Sequence, residues 1–397
     1  MKVCMLAYTW YEPDNRVRRY AETLVKRGDQ VDAVVLRREG QPSKMEVVEG
    51  VCVYRIQRRV INEKGKITYL AKLLLFFVRS FFFLAWKQLR DPYDLIHVHS
   101  VPDFEVFAAL VPKLMGAKVI LDIHDLVPEF YLTKFRTTPD SLIFKLLVGV
   151  ERMSASFADH VIAANHIWLK RLYERSVRRE DCTVILNFPD TDIFHLRGRT
   201  RTDSKFIMVY PGTMTHHQGV DIAVRAFALI ADQCPEAEFH LYGGGDQVDY
   251  LRTLIAELKL QERVFLKGGR KLQEIAVIME NSDLGVVPKR NDGFGNEAFS
   301  TKIFEFMVED VPVIVSSTAI DRYYFNDCVV KFFEANNEKK LTEAMLQLIR
   351  HPEQRQELVR NAREFIKDYT WEKNKCIYLD LVDSLVARSG RQVPAKV

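Results

Sequence analysis

The sequence predicts an α/β protein with two Rossmann-like domains, each a parallel sheet with helical connections. Short apolar runs alternate with amphipathic helical patterns along the chain, as in parallel sheets with helical crossovers. The apolar runs form two series, within 2–186 and 206–315, on either side of the polar, Arg-rich segment 195–205. A length of 397 residues also suits two domains, at roughly 150 residues for each domain.

The elements are predicted in two sets of strands and a helical end. The first strands lie at 2–8, 30–36, 51–56, 94–98, 117–123, 159–164 and 182–186. The second strands lie at 206–211, 237–243, 263–267, 283–288 and 311–315. Three helical patterns follow residue 337, and the last covers about 371–388. We predict an N-terminal domain over 1–190, a C-terminal domain over 205–365, and a terminal helix within 366–397 that packs back toward the N-terminal domain.

The composition is that of a folded globular chain, with 48% apolar and 28% charged residues. The six cysteines lie far apart and form no metal-ligand pattern, so neither a disulfide framework nor a zinc site is predicted, and no cofactor is expected. A net charge of +4 is too small to indicate nucleic-acid binding. The N-terminal residues lack the apolar core of a secretory signal, so we expect a cytoplasmic protein.

One segment, 55–90, is both basic and apolar. It contains nine Lys or Arg and one acid, which gives it a charge of +8 and leaves −4 for the rest of the chain. Of the 20 residues in 67–86, 16 are apolar, but two cations within this stretch oppose a membrane-spanning helix. We expect a helix that lies on an anionic membrane, and the alternative is a crossover helix packed on the first sheet. The side chains expected to face the membrane are Lys72, Arg79, Phe76 and Phe82.

The densest polar constellation of the second domain is 288–305, which follows a predicted strand and opens a helix. Ser300 is a predicted N-cap, so the amides after it are expected to point out of a helix N-terminus and to bind an anion, with Lys302 adding positive charge. Glu305 lies about one turn further on, where its two carboxylate oxygens suit paired ribose hydroxyls. Glu297 lies in the preceding loop. The alternative is a solvated loop with surface acids.

These residues resemble the signature of family 4 retaining glycosyltransferases, in particular those of bacterial exopolysaccharide and O-antigen assembly. The resemblance implies the GT-B fold, in which two Rossmann-like domains face each other across a central cleft. It rests on Glu297 and Glu305 with seven residues between them, followed by the apolar run 312–315. Further segments agree with it, namely 94–99, 122–125, 187–190, 210–213, 218–221, 241–245 and 264–268. The motifs are weak alone but specific in their order and spacing.

The resemblance also implies roles for individual residues. Glu305 would hold the ribose hydroxyls of a nucleotide sugar, and Glu297 would touch the transferred sugar. His124 would contact that sugar from the N-terminal domain. The backbone amides of Phe299, Ser300 and Thr301 would bind the diphosphate. The donor site would further include Gly212, Thr213, His217, Gln218 and Gly268.

Two positions depart from the family pattern. Family members usually carry an Arg and a Lys that contact the diphosphate where this chain has Thr213 and Gln218. We therefore expect Lys302 and the helix amides to supply the missing positive charge, together with protonated His217 or with Lys289. The acidic triplet 190–192 resembles a metal-binding motif of other glycosyltransferases, but it follows a linker proline and is interpreted as a cap. No metal is expected.

The acceptor is expected to meet the first βα turn, which lacks a glycine-rich fingerprint and carries Asn15 and Arg16. The resemblance thus implies a metal-independent, retaining hexosyl- or N-acetylhexosaminyltransferase. It would move a sugar from a nucleotide diphosphate, with uridine expected, to a lipid-linked or growing glycan acceptor at the inner face of the cell membrane, in polysaccharide or lipopolysaccharide biosynthesis. Two alternatives are a nucleotide-sugar epimerase of the same fold and a non-catalytic nucleotide-sugar-binding subunit of a polysaccharide assembly complex.

Overall fold

The computed structural model of the protein describes residues 1–41, 44–59, 66–135 and 137–387. The chain divides into two compact units. Unit 1 contains Met1–Asn187 and Lys375–Val397, and unit 2 contains Phe188–Asn374. The division therefore falls within 186–190, and residues 188–204 belong to unit 2 although they precede the predicted start of the second domain.

Unit 1 is built on an eight-stranded sheet of order β3-β4-β2-β1-β5-β6-β7-β8. The strands are β1 (Lys2–Ala7), β2 (Gln30–Arg37), β3 (Met45–Val48), β4 (Val51–Arg58), β5 (Leu95–His99), β6 (Lys118–Ile123), β7 (His160–Ala163) and β8 (Cys182–Val184). The helices are α1 (Asn15–Arg27), α2 (Lys66–Arg90), α3 (Leu110–Leu114), α4 (Val127–Phe135), α5 (Leu142–Phe157) and α6 (His166–Arg175). Two 3₁₀ helices cover Asp103–Ala109 and Arg179–Asp181. The central strands are buried along nearly their whole length, as expected for a parallel sheet covered by helices on both faces.

Strand β3 is absent from the sequence prediction, and it pairs antiparallel with β4. The turn between them is Glu49-Gly50, where both residues have positive φ, +48° and +79°. Such a two-residue turn fits the right-handed twist of a hairpin. The β3 side chains are exposed or half-buried, so this strand has no apolar run that could have predicted it.

Unit 2 is built on a six-stranded parallel sheet of order β11-β10-β9-β12-β13-β14. The strands are β9 (Phe206–Pro211), β10 (Ala237–Tyr242), β11 (Val264–Gly268), β12 (Leu284–Val287), β13 (Val313–Ser316) and β14 (Lys331–Phe333). The helices are α7 (Val220–Ala228), α8 (Val248–Glu257), α9 (Leu272–Glu280), α10 (Thr301–Val308), α11 (Ala319–Tyr324), α12 (Glu338–Arg350) and α13 (Pro352–Ile366). A 3₁₀ helix covers His216–Gln218. The three-residue edge strand β14 also escapes the sequence prediction because so short a run has no measurable period.

The segment that enters unit 2 is held along its surface by side chains of α9 and the turn after it. Glu280 Oε1 accepts a hydrogen bond from the amide of Gly198 at 2.6 Å. Asn281 Oδ1 accepts from the amides of Thr200 and Arg201 at 2.8 and 2.9 Å. These contacts satisfy backbone groups of a segment without regular structure, and they explain why it belongs to unit 2.

The last helix, α14 (Trp371–Ala387), begins in unit 2, and from Lys375 its residues belong to unit 1. Tyr378 is fully buried there, and its hydroxyl lies 2.9 Å from Nδ1 of His97 on β5. Asp383 pairs with Arg27 at the end of α1 at 2.7 Å. From Lys375 to Ala387 the helix is therefore an integral part of unit 1.

Candidate functional site

The carboxyl ends of three adjacent strands of unit 2 are joined through glycines. The amide of Gly212 donates to the carbonyl of Tyr242 at 2.8 Å, and the amide of Gly243 donates to the carbonyl of Gly268 at 2.9 Å. A Cβ on Gly243 would lie 1.9 Å from the carbonyl oxygen of Gly212, so only glycine allows this approach. Open α/β sheets bind ligands at this edge, and the backbone there is free of side chains.

Lys302, on the first turn of α10, reaches this edge. Its Nζ lies 3.3 Å from Oε1 of Gln218 and 4.9 Å from the ring centre of Tyr210. A Cβ built on Gly212 would lie 3.1 Å from the same nitrogen. Burial lowers the pKa of Lys302 to about 8, although Glu305 opposes the change. The ammonium group therefore lies directly against the strand-end turn that also holds Thr213.

His217 and Gln218 belong to the same cluster, but His217 is not the cation that the sequence suggested. Burial lowers the pKa of His217 below its usual value, and Lys302 and Lys289 add to the effect. Nε2 of His217 lies 3.2 Å from Nε2 of Gln218, an amide nitrogen that can only donate. The imidazole is therefore neutral at pH 7, and the expectation of a protonated His217 is corrected.

Lys289 is also wrongly expected to meet a diphosphate, because it is buried beneath the loop that precedes α10. Its Nζ lies 2.9 Å from Oδ2 of Asp321 and donates to the carbonyl of Ala298 at 2.7 Å. Thr318 also donates to Asp321, at 2.6 Å. The pair thus holds the loop backbone in place at Ala298, one residue after Glu297.

The N-terminus of α10 follows this loop. Ser300 occupies the N-cap position as predicted, but its side chain makes no capping bond, and within the described part of the chain its buried Oγ has no hydrogen-bond partner. The first amides of a helix have no intrahelical acceptor, so those of Thr301 and Lys302 carry the positive end of the helix dipole. Phe299 packs at 5.0 Å between ring centres on Phe304, which anchors the segment.

The two acids of the motif have different surroundings. Glu305 is half-buried on the second turn of α10, and burial raises its pKa to about 7 despite the nearby Lys302, with Glu309 adding to the rise. Glu297 is 8% exposed, and its amide donates to the carbonyl of Phe294 at 3.1 Å. Unit 2 thus brings together most of the predicted donor residues: Gly212, Thr213, His217, Gln218, Ser300, Thr301, Lys302 and Glu305.

Arg16 of unit 1 is not available to an acceptor, which corrects the expectation from the sequence. It is 4% exposed and makes two 2.7 Å contacts with the two oxygens of Asp122. Its remaining terminal nitrogen donates to Ile185 O at 2.8 Å and to Asn187 Oδ1 at 2.9 Å. Asn15 is half-buried at the first position of α1, and its acceptor role stays a prediction.

His124 lies just after β6 with 20% of its side chain exposed. Its Nε2 is 3.1 Å from Oδ2 of Asp122 and 3.2 Å from Nδ1 of His99. His97, His99 and Asp122 lie close enough to hold a metal ion. Arg16 already places a guanidinium on both oxygens of Asp122, and that positive charge opposes a cation there. Asp122 belongs to the segment 122–125, but the sequence alone does not predict that it lies at the centre of this cluster, because Arg16 is 106 residues away.

Helix α2 presents an apolar face to solvent. By length and composition Thr68–Arg90 could cross a membrane, and only 22% of its most apolar window is buried. Phe76 is fully buried, so its predicted membrane-facing role is wrong: it lies on the side of the helix that packs on the sheet. Phe82 is 67% exposed, Arg79 is exposed, and Lys72 is half-buried. Further exposed apolar side chains of α2 are Leu70, Leu74, Leu75, Val78, Trp86 and Leu89.

The structure is that of a two-unit α/β protein with a polar cluster at the strand edge of unit 2. Comparison with known proteins gives the family. Residues 13–187 match the model described as a glycosyl transferase 4-like domain, and residues 194–365 match that of glycosyl transferases group 1. The chain belongs to the GT4-type glycosyltransferases and has the GT-B fold.

Individual relatives agree with this. The chain is 21% identical over 326 residues to alpha-galactosylglucosyldiacylglycerol synthase of Streptococcus pneumoniae, covering 77% of this chain and 81% of the relative. Among solved structures, sucrose-phosphate synthase from Thermosynechococcus elongatus has a TM-score of 0.79 at 18% identity, covering 98% and 100%. Anabaena HepE in complex with UDP-glucose has a TM-score of 0.71 at 17% identity, covering 96% and 100%.

The buried Lys289–Asp321 pair leads to a stability prediction. Replacing Lys289 by Met leaves Asp321 buried without its cation, so the free energy of unfolding should fall by about 3–5 kcal/mol. Chemical denaturation of the full chain measures this. The matched control is Lys340→Met, which breaks the exposed pair with Glu343 and should leave the free energy of unfolding nearly unchanged. Equal losses for the two variants would contradict a structural role for Lys289.

Proposed function

We propose that this glycosyltransferase moves a sugar from a nucleotide diphosphate sugar, with uridine as the expected base, to a lipid-linked or growing glycan acceptor with retention of configuration. The observation that carries the proposal is the convergence of Lys302, the turn at Gly212 and the N-terminus of α10 on one strand edge. A cation, free amides and a side-chain-free turn are the groups that bind a diphosphate.

The ribose would be held by Glu305, which lies on the same helix as Lys302 and one turn beyond it. An ionised carboxylate has acceptors for two hydroxyl donors, and a fixed separation along one helix suits ribose and diphosphate of the same nucleotide. The buried Oγ of Ser300 offers a further donor at the helix end. Anabaena HepE, whose structure contains UDP-glucose, supports this choice of donor.

The sugar transfer would proceed without a metal. As the glycosidic bond breaks, negative charge grows on the leaving diphosphate, and Lys302 together with the helix amides would stabilise it. The leaving phosphate would take the proton of the attacking acceptor hydroxyl on the same face of the sugar, which accounts for retention without a protein nucleophile. Glu297 and His124 would orient the sugar.

The acceptor would be presented at a membrane surface. The exposed apolar side chains of α2 lie opposite its buried side, and Lys72 and Arg79 flank them. Helix α5, which packs against the same 3₁₀ helix as α2, adds Leu142 and Leu146 at 85% and 65% exposure. So large an exposed apolar surface with a basic border suits docking on an anionic bilayer. The proposal is therefore a cytoplasmic, peripherally membrane-bound enzyme of polysaccharide assembly. The diacylglycerol lipid in the name of the Streptococcus relative supports a lipid acceptor, and the similarity to a putative colanic acid biosynthesis glycosyltransferase of Escherichia coli supports the polysaccharide context.

The donor site is tested by Lys302→Ala and Glu305→Gln. Lys302→Ala should lower kcat by about 10²–10³-fold because one donor to the leaving group is lost. Glu305→Gln should weaken nucleotide-sugar binding, measured by calorimetry with UDP, GDP and ADP sugars. Assays use membrane lipid extract as acceptor and contain a chelator, which tests metal independence. Lys340→Ala, on the exposed face of α12, is the control and should behave as wild type.

The same assay separates the alternatives. Unchanged turnover and donor affinity in Lys302→Ala would exclude the proposed charge stabilisation. Conversion of the donor without any acceptor would indicate an epimerase. Binding of a nucleotide sugar with no product under any acceptor condition would indicate the non-catalytic subunit.

The donor affinity should depend on pH in a bell-shaped manner. Glu305 must be ionised to accept hydrogen bonds from ribose hydroxyls. Its pKa is raised to about 7, so the donor affinity should decrease below about pH 7. Lys302 must be protonated to bind the diphosphate. Its pKa is lowered to about 8, so the donor affinity should also decrease above about pH 8. Affinity for a nucleotide sugar should fall by up to about tenfold per pH unit outside these limits. Glu305→Gln should remove the acid limb and Lys302→Arg the alkaline one, since Arg stays charged; limbs unchanged in these variants would contradict the assignment.

Membrane docking is tested by sedimentation with anionic vesicles at low salt. Reversing two charges in Lys72→Glu/Arg79→Glu should reduce binding at least about tenfold, at about 1 kcal/mol for each basic residue near the surface. Phe82→Ser/Leu89→Ser should weaken binding as well. The control is Arg252→Glu/Lys340→Glu in unit 2, which changes net charge equally. No binding by the wild type, or equal binding after charge reversal on α2, would exclude docking through this helix.

A further inference from the structure

Asp122 is the centre of a buried polar cluster in unit 1. It is fully buried on β6, and Arg16 of α1 contacts both of its oxygens at 2.7 Å. Arg16, His124 and His99 hold the pKa of Asp122 well below its usual value, although burial alone would raise it. The two contacts with the Arg16 guanidinium therefore favour the ionised carboxylate, which can only accept hydrogen bonds.

The Asp122 carboxylate determines which ring nitrogen of His124 carries the hydrogen. Nε2 of His124 lies 3.1 Å from Oδ2 of Asp122, so that nitrogen must carry the hydrogen. Nδ1 of His99 lies 3.3 Å from the same oxygen and 3.2 Å from Nε2 of His124. The other ring nitrogen of His124, Nδ1, then carries no hydrogen and can accept a hydrogen bond. The side chain of His124 is partly exposed.

We propose that Asp122 is a positioning residue that locks His124 in the Nε2–H tautomer, so that Nδ1 accepts a hydrogen bond from a hydroxyl of the donor sugar. The inference rests on the proposed function, in which His124 contacts that sugar. Arg16 completes the arrangement, because its guanidinium keeps the carboxylate ionised and oriented. A chain of this kind, in which a carboxylate orients a histidine that touches the ligand, sets both ring orientation and ring basicity.

Among the described residues, His99 and Asp125 are the other groups close to His124: Nδ1 of His99 lies 3.2 Å from its Nε2, and Asp125 is the next residue in the chain. His97 stacks on His99 at 4.2 Å between ring centres, and burial lowers its pKa well below the usual value, so it is neutral. Its Nδ1 is directed to the hydroxyl of Tyr378 at 2.9 Å, away from His124. Tyr20 lies on the other side of the histidine pair, 5.9 Å from His99 between ring centres. Asp122 is thus the carboxylate that contacts Nε2 of His124.

The direct test is the tautomer of His124 in the wild-type enzyme, measured by long-range ¹H–¹⁵N correlation on ¹⁵N-histidine-labelled protein. The resonances are assigned by their loss in His124→Gln. We expect a protonated Nε2 and an unprotonated Nδ1 at neutral pH. A protonated Nδ1 would overturn the proposal, and this measurement needs neither turnover nor an Asp122 variant.

The second test uses Asp122→Asn, whose amide can donate as well as accept and so no longer specifies the tautomer. We expect mixed tautomers, a kcat lowered about 10–100-fold, and unchanged binding of UDP, whose proposed site lies in unit 2. Tyr378→Phe is the matched control, because it removes a hydroxyl from the same buried cluster without touching Asp122 or His124. It should retain the tautomer and the activity.

The outcomes separate this inference from the proposed function. Full activity of His124→Gln with the expected wild-type tautomer would exclude the sugar contact while leaving the Asp122 lock in place. A single wild-type tautomer or wild-type kcat in folded Asp122→Asn would overturn the positioning role. If Asp122→Asn does not fold, the wild-type tautomer decides.

Discussion

The buried pair of Lys289 and Asp321 is the constraint on which the donor side of unit 2 depends. Removing two charges from water is costly, and the pairing of the two groups and their hydrogen bonds offset that cost. Here the ammonium contacts a carboxylate and the carbonyl of Ala298, and the carboxylate also accepts from Thr318. The loop backbone between Glu297 and the first turn of α10 is therefore held in place at Ala298 by this pair.

Unit 1 contains a similar buried ion pair, between Arg16 and Asp122. The remaining terminal nitrogen of Arg16 donates to Ile185 and Asn187, at the end of the first segment of unit 1. In both units, then, a cation of a predicted site motif is buried in an ion pair. In the proposed function, the groups that meet the ligand are instead Lys302 in unit 2 and His124 in unit 1.

The sequence predicts most of the fold because the central strands are continuous apolar runs. Strands without such a run are not predicted. Strand β3 has exposed side chains, and β14 has three residues. The same limit applies to the site. Spacing identifies Glu297, Lys302 and Glu305 because they share one loop and one helix. It cannot tell that Lys289 and Arg16 are buried, since their partners Asp321 and Asp122 are 32 and 106 residues away in the sequence.

The absence of a cation at Thr213 and Gln218 has a physical explanation in the structure. Gln218 does not replace the charge; its Oε1 accepts from Lys302 and from the hydroxyl of Tyr210 at 3.3 and 3.2 Å and so holds the ammonium over the turn at Gly212. A lysine at 218 would repel Lys302 and lower its pKa further. One cation oriented by a neutral amide, together with the helix amides, therefore occupies the region where family members place two, and a glutamine at this position is consistent with an active site rather than a lost one.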